Sequence, residues 1–278
     1  MASLPWRASF AGSDRAPGCM QFPTLFRLDD RVAFISAARG HLGRAMVRTL
    51  ASAGAHVIVN GRDDARLAQF EQELRDENFS VSRAAFDVTD VKALRAFMGG
   101  LKRLDVLVNN AVSMEVKGFS ALAPGDFAAT YESAVTVAFE AVRAALPALR
   151  AAVALAKDAS VINISSMYGS VAPDARLYDT RDGQSPFHYG PAKAALEQLT
   201  RHLAAELGPE GIRVNAMAPG PFPATAGAPL AARLASRTML ARLGKPEEIA
   251  GPLLFLASPA SSYVTGATLN IDGGWTAW

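Results

Sequence analysis

The sequence predicts one α/β domain built on a doubly wound parallel sheet. Three observations carry this. Short apolar runs alternate with longer helix-like stretches from residue 31 onward. Ser36, Asn60, Asp87, Asn109, Ser166 and Pro219 each fall at or just beyond the end of such a run, where open parallel sheets gather their ligands. At 278 residues, half of them hydrophobic, the chain buries a large core without an internal repeat or a second domain.

Taken in order, Val32–Ser36 is expected as a short apolar strand, followed by a glycine-containing turn and a helix through about Ala53, which Gly54 stops. His56–Asn60 is the next strand. Asp63 or Asp64 can cap a helix running to about Asn78. Val81–Phe86 then reads as strand, Asp90–Met98 as helix and Asp105–Asn109 as a buried strand. Asp126–Leu155 is expected to be mostly helical, with Pro147 as a break or kink. Ser160–Ser165, Tyr189–Leu207 and Ile212–Met217 follow as strand, helix and strand. Pro246–Ala257 reads as helix and Thr268–Ile271 as the last strand. Strands in this alternation pair in parallel through right-handed crossovers, which put helices on both faces.

The first residues differ in character. Met1–Arg27 contains Pro5, Pro17 and Pro23, three arginines and only Asp14 as an acid. No apolar core precedes a small-residue cleavage site. Residues 1–28 therefore read as a flexible extension, with Met20 an alternative start, and 29–278 as the domain. Net charge is +2 (28 basic, 26 acidic), which gives no global electrostatic case for nucleic acid. A single cysteine, Cys19, excludes an internal disulfide framework and fits a reducing cytoplasm. The four histidines show no metal-ligand spacing, and no apolar run suits a bilayer.

The chemistry concentrates in three residues. Tyr189 and Lys193 are four apart, on one face of a helix. A nearby ammonium favours the phenolate, and so is expected to lower a phenol that ordinarily titrates near ~10. Ser166, at the end of a strand, can hydrogen-bond the same substrate oxygen. Together the three can move a proton on and off a carbonyl or alcohol.

With these residues in place, the chain from about 29 to 278 resembles the short-chain dehydrogenase/reductase family, which has a Rossmann-type sheet. The resemblance rests on Ser-Ala-Ala-Arg-Gly-His-Leu-Gly at 36–43, Asp87-Val88, Asn109-Asn110-Ala111, Asn163-Ile164-Ser165-Ser166, Tyr189 with Lys193, Arg213-Val214-Asn215 with Pro219-Gly220, and Tyr263-Val264-Thr265-Gly266 with Asp272-Gly273-Gly274. It implies hydride transfer between NAD or NADP and a carbonyl or secondary alcohol. Tyr189 would be the acid/base, Lys193 would hold the nicotinamide ribose, and Ser166 would orient the substrate oxygen. Ser165 points to the other face of its strand. Ser36, Arg39, Gly40, His41 and Gly43 would form the phosphate turn. Asp87 and Val88 would meet the adenine, Asn109 a ribose, and Pro219, Gly220 and Phe222 the nicotinamide side.

NADP is the expected cofactor, in preference to NAD. NAD-specific relatives end the second strand with an acid, whose carboxylate repels a 2′-phosphate. Here that end reads Val59-Asn60-Gly61-Arg62, and Arg39 can close on the same phosphate. A small-molecule substrate, no nucleic acid or membrane partner, and a tetramer or dimer are expected. The helices around Asp126–Leu155 and Tyr189–Leu207 would form one interface, and the apolar C-terminus suits another.

Three departures from the family pattern leave an alternative open. Ala37 and His41 stand where the family has glycines, unless the turn is slipped so that Gly40 serves as the second one. His41 could then either donate to a phosphate or block it. Val112 replaces a glycine after Asn-Asn-Ala, and Ala134 an asparagine whose backbone carbonyl helps hold a water near Lys193; Ser133 or Thr136 could compensate. The alternative is a non-redox lyase or isomerase, or a binding protein. The stretch from Ser166 to Tyr189 is longer than usual in the family; its polar part, within Val171–Phe187, is expected near the substrate mouth, either contacting a polar or sugar-like substrate or serving as a solvated loop or subunit contact. Pro221–Arg237 resembles the family's substrate lid.

Overall fold

The computed structural model describes residues 22–278. Cys19, Met20 and most of the predicted extension lie outside the described residues. Within them, Phe22–Leu25 forms one helical turn (α1). The packed domain starts at Leu28, one residue earlier than expected: Leu28 is fully buried, and its amide donates to the Ala53 carbonyl at 2.8 Å.

Seven strands form one sheet: β1 Val32–Ile35, β2 His56–Gly61, β3 Val81–Ala85, β4 Val106–Asn109, β5 Ala159–Ile164, β6 Ile212–Pro219 and β7 Thr268–Ile271. Every pairing is parallel and the order is β3-β2-β1-β4-β5-β6-β7. The strand order reverses at β1, between β2 and β4, and there the crossovers diverge and leave a crevice at the carboxyl ends. β4, β5 and β6 are buried along their whole length, as near-continuous apolar runs covered on both faces must be.

Helices cover both faces. On one, α2 (His41–Ser52), α3 (Asp64–Asp76) and α9 (Ala250–Ala257) bury Met46, Leu50, Phe70, Leu253 and Leu256 against Ile35 and Val57. On the other, α4 (Val91–Gly99), α6 (Val137–Ala156) and α7 (Tyr189–Leu207) bury Leu94, Val142, Leu149 and Leu203 against Leu107 and Val161. Asp63 caps α3 by accepting from the Arg66 amide, and Asp90 caps α4 from Lys92 and Ala93.

The break in the long helical stretch is not at Pro147. It falls at a π-helical turn, Glu132–Thr136, between α5 (Pro124–Tyr131) and α6. Pro147 sits inside α6 on its exposed side, and so does Arg143, whose carbonyl loses its helical partner there and faces water. α8 (Ala228–Arg237) lies in the lid segment.

Candidate active site

The first turn keeps its shape without the expected glycines. Ala37 takes the left-handed conformation, φ 49°, that a glycine would adopt freely. The Gly40 amide closes the turn on the Ala37 carbonyl at 3.0 Å. Gly40 is the N-cap of α2 and has no side chain to cover the first amides, so the helix end is open to an anion. Gly43 cannot be replaced: a Cβ there would lie 2.6 Å from the Ala37 oxygen and 2.7 Å from that of Ala38. His41 is exposed and lines a groove on the outer face of α2 with Arg44, Arg48 and Glu247.

Ser36 acts as a fastener. Its hydroxyl accepts from the Asn110 and Ala111 amides at 2.9 and 3.0 Å, which ties the turn to the end of β4. Asn109 is likewise committed, donating to Asn163 at 2.9 Å. Asn60 turns inward to the Ala84 and Phe86 carbonyls, so the end of β2 presents no polar side chain of its own.

Beside the turn lies a cleft of about 390 Å³ lined by Arg39, Gly40, Arg62, Asp87 and Val88, with Val112 and Ser133 on its far wall. The Arg39 Nε is buried without a hydrogen-bond partner among the described residues. Arg62 has a largely exposed side chain and only a loose pairing, 3.8 Å, to Asp87. Burial works against the Asp87 carboxylate, but the Thr89 amide and hydroxyl and then Arg62 hold it below the usual carboxylate range. Sequence reasoning missed Arg66, which lines the same cleft from the first turn of α3. The detectable signal was its place four residues beyond Arg62.

The three reactive residues stand over the neighbouring end of β5, outside this lining. Ser166 is buried, and its hydroxyl accepts from the Tyr168 amide at 3.2 Å and meets that of Tyr189. Ser165 faces away, donating to Glu197 at 2.7 Å. Lys193 is buried; its Nζ lies 5.6 Å from the centre of the Tyr189 ring and donates to the Ile164 carbonyl at 2.7 Å. Burial pulls Lys193 down to about 8. Tyr189 is the reverse of the expectation. Its phenol stands above its ordinary value because burial outweighs the hydrogen bond from Ser166.

Pro219 ends β6, and Gly220 lets that chain pass Asp272, whose Cα a Cβ would meet at 2.5 Å. Phe222 packs on Gly244 and lines a separate cleft with Thr238 and Asp272. Ala134 is buried in the π turn against Ala138, Ala192 and Leu196. The Ser133 hydroxyl there is held by the Ser113 amide, and Thr136 lines an outer groove.

A family model described as enoyl-(acyl carrier protein) reductase matches residues 37–276. Galactitol 2-dehydrogenase (L-tagatose-forming) of Cereibacter sphaeroides is 34% identical over 272 residues, covering 93% of this chain and 100% of that protein. Gluconate 5-dehydrogenase of Gluconobacter oxydans is 32% identical, covering 92% and 99%. Among solved structures, a gluconate 5-dehydrogenase from Burkholderia cenocepacia in complex with NADP and tartrate superimposes with a TM-score of 0.81 at 30% identity, covering 93% of this chain and 100% of that one.

Proposed function

Since the chain belongs to the short-chain dehydrogenase/reductase family, we propose that it interconverts a secondary alcohol and a carbonyl on a polyhydroxylated, sugar-like substrate with NADP(H). It is an oxidoreductase of CH–OH groups. The carrying observation is the meeting of Ser166, Tyr189 and Lys193 at the end of β5, beside a cleft edged by arginines.

The residues present suit NADP. The orphaned Arg39 Nε, the loosely paired Arg62 and the adjacent Arg66 offer donors to a 2′-phosphate. The open start of α2 offers its amides to the pyrophosphate. Relatives named for galactitol and gluconate, and neighbours solved with NADP, support the same reading.

When bound, the nicotinamide supplies the hydride acceptor or donor. The protein manages the proton. In the oxidative direction Tyr189 Oη takes the proton from the substrate hydroxyl as the C–H pair departs; in reduction it returns it. Ser166 Oγ holds the same oxygen in place. Lys193 uses one ammonium proton on Ile164, leaving two for a ribose hydroxyl and for charge near Tyr189. Burial raises the Tyr189 phenol, and the Ser166 hydroxyl opposes that shift. The segment 221–237 serves as a lid that excludes water.

The non-redox reading is not favoured, since Ala37 takes a left-handed conformation like that of a glycine, and relatives named for galactitol and gluconate are dehydrogenases. The protein acts in the cytoplasm as a homo-oligomer joined through α5, α6 and α7, of which α5 exposes Phe127 and Tyr131 and α6 exposes Phe139. Among the described residues no helix is long and apolar enough to cross a membrane.

Tyr189→Phe tests the mechanism. It is expected to lower kcat by about 10²-fold or more and to leave NADPH affinity unchanged. Full activity in this variant would refute the assignment.

A further inference from the structure

We infer that Tyr178, carried by the long segment between Ser166 and Tyr189, is a specificity-determining residue that reads a second hydroxyl on an uncharged polyol. This deepens the dehydrogenase reading above and rests on it.

The observation is a pair of phenols. Tyr178 Oη lies 2.7 Å from Tyr168 Oη, and among the described residues each is the other's only hydrogen-bond partner. Two phenols bring two protons, and their mutual bond uses one. The second proton and the remaining lone pairs are available, so the pair offers a donor and an acceptor side by side. That is the complement of an alcohol, which donates and accepts at a single oxygen. Burial first, and then the bond to Tyr178, push the Tyr168 phenol far above its ordinary value, so Tyr168 keeps its proton.

The pair stands near the reaction centre. Tyr168 follows Ser166 by two residues, its amide donates to Ser166 Oγ at 3.2 Å, and its phenol feels that of Tyr189 electrostatically. Its ring meets Trp275 edge-on at 6.4 Å. Tyr168 also lines a cavity of about 530 Å³ with Pro173, Pro186, Phe187 and Gly190, within the range of small-molecule sites.

Tyr178 is held in place. Arg233 of α8 grips the residues on either side of it, donating to the Leu177 carbonyl at 2.5 Å and to Asp179 at 2.7 Å. Leu177 packs with Leu230, Leu234 and Trp275 beneath the lid. A hydroxyl fixed by its neighbours in this way discriminates, whereas one on a loose loop does not.

The arginines around the pair are already engaged. Arg176 is paired with Asp174 at 2.7 Å and Arg233 with Asp179. Arg237 lies over the Trp275 and Trp278 rings and donates to both of their carbonyls. Each of these arginines already has partners within the protein, while a neutral hydroxyl fits the phenol pair as it stands.

The test measures kcat/KM with NADP⁺ for sorbitol, mannitol, galactitol, gluconate and cyclohexanol, together with NADPH binding, in the wild type, Tyr178→Phe and Tyr168→Phe/Tyr178→Phe. At least one hexitol is expected to exceed gluconate. In Tyr178→Phe the hexitol-to-cyclohexanol ratio falls about tenfold or more, through KM, because a site built to bind a hydroxyl loses its partner. The double variant loses little more, since the two hydroxyls act together. An unchanged ratio, or gluconate as the better substrate, overturns the inference. NADPH binding without hexitol turnover also overturns it while sparing the dehydrogenase reading. If NADPH does not bind and no alcohol is turned over, the dehydrogenase reading itself fails.

Discussion

Lys193→Met is expected to make the protein more stable at neutral pH while abolishing turnover. The Lys193 ammonium is buried, and among the described residues its one hydrogen bond goes to the Ile164 carbonyl. Burial takes it from 10.5 to about 8. At ~1.4 kcal/mol per tenfold, holding that charge inside the fold costs about 3 kcal/mol when the group is protonated in both states. Methionine fills similar space without the charge. It strands the Ile164 carbonyl, at a cost of about 1 kcal/mol. The net gain at pH 7 is then about 2 kcal/mol.

The sign follows from linkage. The folded value lies below the unfolded one, so between about 8 and 10.5 the unfolded chain binds more protons, and wild-type stability rises with pH across that window. Below about 8 the full cost is present. The advantage of Lys193→Met is therefore largest below pH 8 and falls towards zero near pH 10. The assay is urea denaturation of the cofactor-free protein at pH 7 and pH 10, with the midpoint and slope both fitted. A variant less stable than wild type at pH 7, or an advantage independent of pH, would refute the reasoning.

Two further predictions concern the cofactor cleft. Ala37→Gly relieves a left-handed residue and is expected to raise stability by about 1 kcal/mol, read as a higher Tm; a lower Tm would show that the turn is not strained. Arg39→Ala and Arg62→Ala each remove a donor from the arginine-edged end of the cleft, and should raise the NADPH Kd about tenfold or more with little change for NADH; an equal effect on both cofactors would contradict 2′-phosphate recognition.

Much of this architecture was legible from periodicity. β7 and α7 begin and end where the apolar pattern does, and Asp63 and Asp90 announce their helices as caps. The break at Glu132–Thr136 was not legible, because it depends on distant partners: Thr130 and Ser133 bond the backbone of Ser113, and His188 bonds Thr130. Pro147 gave a false signal because α6 places it on the solvent side. Composition of the site was readable, but its electrostatics were not. The direction of the Tyr189 shift turns on burial, which spacing alone does not reveal. The phenol pair also escaped notice, since Tyr168 and Tyr178 are ten apart in an irregular segment that Arg233 and the packing of Leu177 help to hold.

A fluorescence titration of the purified protein with NADPH and, separately, with NADH tests the central claim most directly. Micromolar binding of NADPH and weaker binding of NADH are expected. Failure to bind either would show that Ala37 and Val112 have closed the dinucleotide cleft, and would contradict an NADP-dependent dehydrogenase.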